Sequence, residues 1–332
     1  MLTVQFLLLT ADGWDVNFIP QSAIIKSEIC IETLVTNTIF LMTIIKKTNN
    51  HKNITTMQIR FESSPREVKA MDTASLRREF LVENLMTEDN ISLTYSHYDR
   101  LIIGGTKPVK QTTELETHEE LKADYFLQRR ELGIINVGGK GSVEVDGEKY
   151  ALDKLDCLYV GKGAQKVTFS SSNPGEPATY YLLSAPAHKE YPTTKYTKEQ
   201  AAPVTLGDGK TSNRRTIYKY IHEAGIQSCQ LVMGLTVLEE GSVWNSIPAH
   251  THTRRTEIYF YFDLNTEQRL FHMMGETTET RHIIMKNHEA VISPSWSVHF
   301  GAGTSNYGFI WGMGGENKRY DDMDPAPLDV LL

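Results

Sequence analysis

The sequence predicts an all-β protein built from two similar barrel-like units, with only a few short helices, and three observations carry that expectation. Short runs rich in β-branched and aromatic residues recur along most of the chain, each bounded by Gly, Asp or Asn. They fall into two sets, separated by a polar, proline-containing connector at about 185–216. Helical patterning stands out only once, near residue 75. Strand-rich units of this kind bury their apolar faces by closing sheet on sheet.

The helix opens the patterned region, with Asp72 or Thr73 as cap and Leu76, Phe80 and Leu81 as its apolar side. The first strand set follows at 100–105, 132–137, 142–145, 157–160 and 166–169. Within it, Val145-Asp146-Gly147-Glu148 carries the Asp-Gly signal of a tight hairpin. The second set begins near Cys229 and occupies 230–237, 258–262, 270–274, 282–285, 290–292 and 307–311.

Residues 1–56 read differently. They contain no arginine and end in a polar run at 46–53, whereas Arg60, Arg66, Arg77 and Arg78 follow in quick succession. The expectation is an extension, disordered or joined in error ahead of a true start at Met57. The body then divides into 57–190, a first barrel, and 191–332, the connector with a second barrel.

Bulk properties exclude some functions. A composition of 40% apolar and 23% charged residues is ordinary for a soluble globular protein. The net charge of -7 argues against a nucleic-acid partner, and it requires a local basic patch to draw in any anionic substrate. Cys30, Cys157 and Cys229 are odd in number and widely spaced, which predicts no disulfide framework and fits a reducing cytoplasm. The longest apolar stretch, 33–45, is broken by Thr and Asn and is too short to span a bilayer, so no membrane is expected. The apolar run at 4–9 lacks a preceding basic residue, as a secretory signal would need.

The two strand sets align residue by residue. Ala123 through Glu131 lies against Ala249 through Glu257, with the Ala, one Arg and the Glu coinciding. Downstream, Gly161, Gly163 and Lys166 fall opposite Pro294, Trp296 and His299. The two histidines of the second unit are Asp124 and Phe126 in the first, so only the second barrel is expected to bind metal.

In His250-Thr251-His252 the two imidazoles project from one side of an extended strand. Glu257 has the opposite parity, so 253–256 must turn or bulge to bring it to the same point. His299 arrives from a distant strand after Pro294-Ser295-Trp296-Ser297. Three neutral nitrogens and one carboxylate suit Zn, Fe, Mn or Ni. Arg254 and Arg255 are candidates for a substrate carboxylate, because a guanidinium pairs with it bidentately. Arg129 and Arg130, at the matching place in the first unit, are expected at a surface or interface. Glu257, Tyr259 and Tyr261 share the strand face that looks into the barrel. Tyr259, Tyr261, His272 and His282 join Glu257 as candidate proton carriers, the bland alternatives being core packing for the tyrosines and structural roles for the histidines.

The ligand spacing resembles the two cupin motifs. Further segments are similar to the 4-deoxy-L-threo-5-hexosulose-uronate ketol-isomerase family: Ser75-Leu-Arg-Arg-Glu-Phe-Leu-Val-Glu83, Tyr95-Ser-His-Tyr-Asp-Arg100, Gln128-Arg-Arg-Glu-Leu-Gly133, Leu206-Gly-Asp-Gly-Lys-Thr-Ser-Asn-Arg-Arg-Thr216, Phe271-His-Met-Met-Gly275, Ser293-Pro-Ser-Trp296 and Trp311-Gly-Met-Gly-Gly-Glu-Asn317. The likeness covers roughly 57–324; residues 1–56 inherit nothing from it. It implies a duplicated cupin and an aldose-ketose isomerase acting on 5-dehydro-4-deoxy-D-glucuronate in pectin or uronate breakdown. It further implies one Zn2+ per chain on His250, His252, Glu257 and His299. Among the proton-carrier candidates read from the residues themselves, Glu257, Tyr259 and His272 are put first for catalysis. The small-molecule uronate is then the partner, and a homo-oligomer, a hexamer, is the expected assembly. A non-haem iron dioxygenase and a non-catalytic sugar-binding cupin are the competing readings, since one fold hosts many functions.

Overall fold

The computed structural model describes residues 57–332; the expectations for residues 1–56 lie outside the described residues. Asp72 caps the helix Thr73–Phe80 by accepting from the Ser75 amide at 2.8 Å, and Leu76 and Phe80 are buried. Leu81 leaves the helix and begins a short strand, Leu81–Val82. A second helix, Pro65–Lys69, was not expected. Its signals are nonetheless in the sequence: Ser64 and Glu67 form a reciprocal capping box, and Pro65 occupies the first turn.

The strands build two units of matching topology. In the first, a seven-stranded sheet runs Gln58–Arg60, Ile91–Ser96, Ile102–Thr106, Tyr180–Pro186, Arg130–Asn136, Cys157–Val160, Thr194–Tyr196. Its four-stranded companion runs Thr113–Glu114, Val167–Ser171, Gly141–Val145, Glu148–Leu152. In the second, the order is Val204–Leu206, Arg215–Ile221, Val232–Leu238, Gly308–Gly315, Arg255–Phe262, Ala290–Ser293, Leu81–Val82. Its companion runs Trp244–Asn245, Phe300–Gly303, Leu270–Glu276, Glu279–Met285. Read in order, the sheets correspond strand for strand, except that Gln58–Arg60 joins its neighbour in parallel while Val204–Leu206 joins its own antiparallel. The predicted hairpin is present, closed by the pair Val145 and Glu148 around Asp146 and Gly147, both at positive φ.

The large sheets are buried on both faces, which explains the largely apolar runs at 132–137 and 258–262. Ile134 and Leu182 point into the core of the first unit with Val143 and Phe169. Their neighbours Ile135, Tyr181 and Leu183 belong to a larger core shared with Met233, Ile258 and Phe260 of the second unit. Tyr181 stacks on Phe260 with ring centroids 4.7 Å apart. Glycine is needed where the sheets approach: a Cβ at Gly312 would come within 2.3 Å of the Leu183 side chain. Two edge strands cross between units. Leu81–Val82, which precedes the first barrel's other strands save Gln58–Arg60, completes the second, while Thr194–Tyr196 closes the first. No helix among the described residues is long and apolar enough to cross a membrane. Cys157 and Cys229 are free thiols.

The ladders refine the duplication. Both units have a two-residue turn at the same hairpin, closed by Val145 and Glu148 in one and by Glu276 and Glu279 in the other. Counting from those turns, the rung holding Val143 and Phe169 in the first unit corresponds to the one that extends from Met273–Phe300 to His299 in the second. The counterpart of His299 is therefore the buried Phe169, not Lys166.

Candidate metal centre

His250 lies on the short strand Ala249–Thr251, which pairs with Asp324–Ala326 near the C-terminus. The chain then turns, with the Arg255 amide bonding the His252 carbonyl at 3.1 Å, and enters the strand Arg255–Phe262. That turn supplies the parity change that Glu257 requires. His299 precedes Phe300–Gly303 in the facing sheet. His252, Glu257 and His299 are buried, His250 is half-buried, and one ligand atom from each lies within 4.8 Å of all the others.

The histidine partners establish what this cluster can hold. The His252 Nδ1 bonds the carbonyl of Asp322, and the His299 Nδ1 lies 3.3 Å from the carbonyl of Ser297 and 3.1 Å from the Ser293 hydroxyl. Pro248 offers its carbonyl to His250. A carbonyl only accepts, so Nδ1 of His252 and of His299 carries the proton and their Nε2 atoms present lone pairs to the centre. There, the His252 and His299 Nε2 atoms sit 3.0 and 2.8 Å from Oε2 of Glu257, and the His250 and His299 Nε2 atoms sit 3.1 Å apart. The Glu257 oxygen has no hydrogen-bond donor. Lone pairs converging at these distances in a buried pocket repel one another until a cation lies between them. The donor set thus fits a divalent metal ion.

Electrostatics keep the donors in ligating form. Burial pushes His250 down to about 3, so its imidazole is neutral at physiological pH. For Glu257, burial alone would raise the carboxyl; positive charge at the centre, on His299 and His252 when they are protonated, outweighs burial and holds it well below the usual carboxylate range.

Behind the cluster is a polar-aromatic wall. Tyr259 shares hydrogen bonding with the Ser246 hydroxyl at 2.7 Å, and its ring lies edge-on to those of both His299 and His272. Tyr261 contacts the His272 Nδ1 at 2.8 Å, while the fully buried Nε2 of His272 has no hydrogen-bond partner. Burial pushes His272 down to about 3 and raises both tyrosines well above their ordinary range. Tyr259 and Tyr261 are therefore proton donors rather than bases.

Other expected residues are placed elsewhere. His282 is exposed on the outer face of its strand against Phe271, so it faces away from the cluster. Arg254 is bound to Asp322 at 2.6 Å and Asp324 at 2.9 Å, and Arg255 donates to the Arg319 carbonyl and to Asn317. Both guanidinium groups thus fasten the 317–324 loop that carries the Asp322 carbonyl. Arg129 is exposed, but Arg130 is buried, bonded to Ser184 and Arg100. An interior role replaces the surface role expected for it. Sequence reasoning missed Ser246 and Tyr320, which carry no motif, and gave no role to Arg215, which stands in the family-like segment 206–216 but on a strand that was not assigned.

A duplicated β-barrel protein in which one barrel gathers three histidines and a glutamate is a cupin with a single metal-competent barrel. The comparisons are specific beyond that. A family model described as the KduI/IolB family matches residues 80–327. The 4-deoxy-L-threo-5-hexosulose-uronate ketol-isomerase of Halalkalibacterium halodurans is 53% identical over 275 residues, 83% of this chain and 100% of that protein. The enzyme of the same name from Dickeya dadantii is 53% identical over 277 residues, again 83% and 100%. An IolB-like protein from Salmonella typhimurium LT2 superposes with a TM-score of 0.57 at 15% identity, covering 73% of this chain and 94% of that one, which speaks for the fold alone. The chain belongs to the KduI/IolB family.

Proposed function

We infer that the protein is a uronate ketol-isomerase, an intramolecular oxidoreductase that converts 5-dehydro-4-deoxy-D-glucuronate to 3-deoxy-D-glycero-2,5-hexodiulosonate in pectin and uronate catabolism. The observation that carries this reading is the 53% identity to ketol-isomerases over their whole length, in a chain whose four metal-type donors converge. We further propose Zn2+ as the ion, held by His250, His252, Glu257 and His299, and the cytoplasm as the compartment.

Moving a carbonyl from C1 to C2 requires a proton to leave C2 and another to reach C1. A divalent ion at this centre supplies Lewis-acid polarisation of the carbonyl and its neighbouring hydroxyl. Glu257 is the carboxylate among the catalytic candidates; we assign it the proton transfer, which it can perform on swinging off the metal. Tyr259, protonated and tethered to Ser246, donates a hydrogen bond to the oxygen that gains charge. His272, neutral and fixed by Tyr261, presents an unpaired Nε2 as a further donor.

The test is anaerobic isomerisation of 5-dehydro-4-deoxyuronate by the metal-loaded chain, with elemental analysis and the His252→Ala and His299→Ala variants alongside. About one metal per chain, with turnover lost in both variants, supports the assignment. Bound metal without that turnover, or a requirement for Fe(II) and oxygen, overturns it in favour of an iron dioxygenase.

A further inference from the structure

We infer that Arg215 anchors the carboxylate end of the substrate, opposite the metal cluster in the second barrel. The inference deepens the isomerase reading and rests on it for the choice of substrate. Such an enzyme must hold two ends of one molecule: the carbonyl and hydroxyl that react, and a carboxylate that does not. The donors above serve the first end, and the arginines beside them in sequence are committed to Asp322, Asp324 and backbone carbonyls.

Strand register places Arg215 on the right face. Tyr259 pairs with Trp311, Trp311 with Gly234, and Gly234 with Lys219, so these four share one rung on the face that carries Glu257. Arg215 is four residues before Lys219, with no bulge between them, and so projects to the same interior face. Gly234 leaves room for the Trp311 ring to lie across the sheet; a Cβ there would come within 2.3 Å of it. Tyr320 packs on Trp311 with centroids 5.2 Å apart, and the Lys219 ammonium lies 4.9 Å from the Tyr320 centroid.

Arg215 and Lys219 are half-buried, and among the described residues neither has a carboxylate partner. The one hydrogen bond of the Arg215 guanidinium goes from Nη1 to the Asn213 carbonyl at 2.8 Å. In a chain of net charge -7, two inward-facing cations without counter-ions mark the local basic patch that an anionic substrate needs. The Tyr320 hydroxyl ties this patch to the cluster: burial raises it, the Glu257 charge adds to that, and Arg215 opposes both. Arg215 also faces Tyr259 electrostatically.

The experiment compares metal-loaded wild-type, Arg215→Gln and Arg215→Lys chains. It reads the KM for the uronate and the affinities for D-glucuronate and D-glucose, followed by Trp fluorescence and by inhibition of turnover. The wild type should favour glucuronate over glucose. Arg215→Gln should weaken glucuronate and raise KM by roughly 10- to 100-fold, as expected for loss of a charge-assisted pair, with glucose affinity and metal content unchanged. Arg215→Lys should recover part of the preference. A wild type without carboxylate preference, or an Arg215→Gln chain that keeps it or loses glucose equally, overturns the subsite. If carboxylate preference is present and lost in Arg215→Gln while the wild type turns nothing over, the isomerase reading fails and the subsite stands.

Discussion

At the scale of single residues, the centre shows how neutral backbone atoms prepare a metal site. Carbonyls of Asp322 and Ser297 hold two of the three imidazoles in the tautomer that ligates, so the motif depends on residues whose identity at those positions leaves little trace in sequence. Tyr259 is different, because its role lies in its hydroxyl. Tyr259→Phe keeps the ring against His299 and removes the hydrogen bond to Ser246. It should lower kcat about 100-fold with KM and metal content nearly unchanged, as steady-state kinetics and elemental analysis would reveal. His272 supplies a second prediction. Its folded value is about 3, against an unfolded value of about 6.5, so between these limits the unfolded chain binds a proton that the folded chain refuses. Stability of the metal-free protein is therefore full above about pH 6.5 and is lost as pH falls toward 3, at about 1.4 kcal/mol per pH unit for this group. Denaturant titrations at pH 7 and pH 5 should show the loss, and His272→Phe should flatten the slope by about one proton.

At the scale of strands, the same glutamate has taken two roles in the two barrels. Glu257 turns to histidines, whereas Glu131, completely buried on the matching strand, accepts from the amides of Cys229, Gln230 and Leu231 at 2.6, 2.7 and 2.9 Å. The Tyr159 hydroxyl adds a fourth bond at 2.8 Å. The carboxylate therefore fixes the segment that enters the strand Val232–Leu238 of the second barrel. Glu131→Ala leaves those buried donors unpaired and should destabilise the protein by about 3–5 kcal/mol, measured by denaturant unfolding, with the metal content of the folded fraction unaffected. Much of this was legible beforehand. The ligand spacing requires a turn after His252, and strand parity puts Glu257, Tyr259 and Tyr261 on one face; both features are found. What escaped was non-local. The commitment of Arg254 depends on Asp322 and Asp324 and that of Arg255 on Asn317 and Arg319, all far along the chain, and the edge strand Leu81–Val82 gains its partner more than 200 residues downstream. Arg215 stood in a family-like segment but drew no role, because its strand mixes polar and apolar residues at the edge of the connector.

At the scale of the whole molecule, duplication leaves the two large sheets back to back and turns the two small sheets outward. The small sheet of the second barrel bears an apolar row: Trp244, Ala302, Phe271 and Ile284 occupy one rung across four strands. Trp244, Phe271 and Ile284 are among the most exposed large apolar residues described, at 36%, 36% and 42%. A contiguous apolar band on a sheet face is a surface that a soluble chain normally covers. A second copy of this chain is the cover that fits the homo-oligomer proposed from the family resemblance, because closed symmetric assemblies reuse one patch in every subunit. Phe271→Asp with Ile284→Asp would place charges on that rung while leaving the buried His272 and the ligand set on the interior. The double variant should sediment as a smaller species than the wild type, hexameric by expectation, and still bind about one metal per chain. Wild-type chains that sediment as monomers, or a variant of unchanged size, would show that this rung is not where the subunits meet.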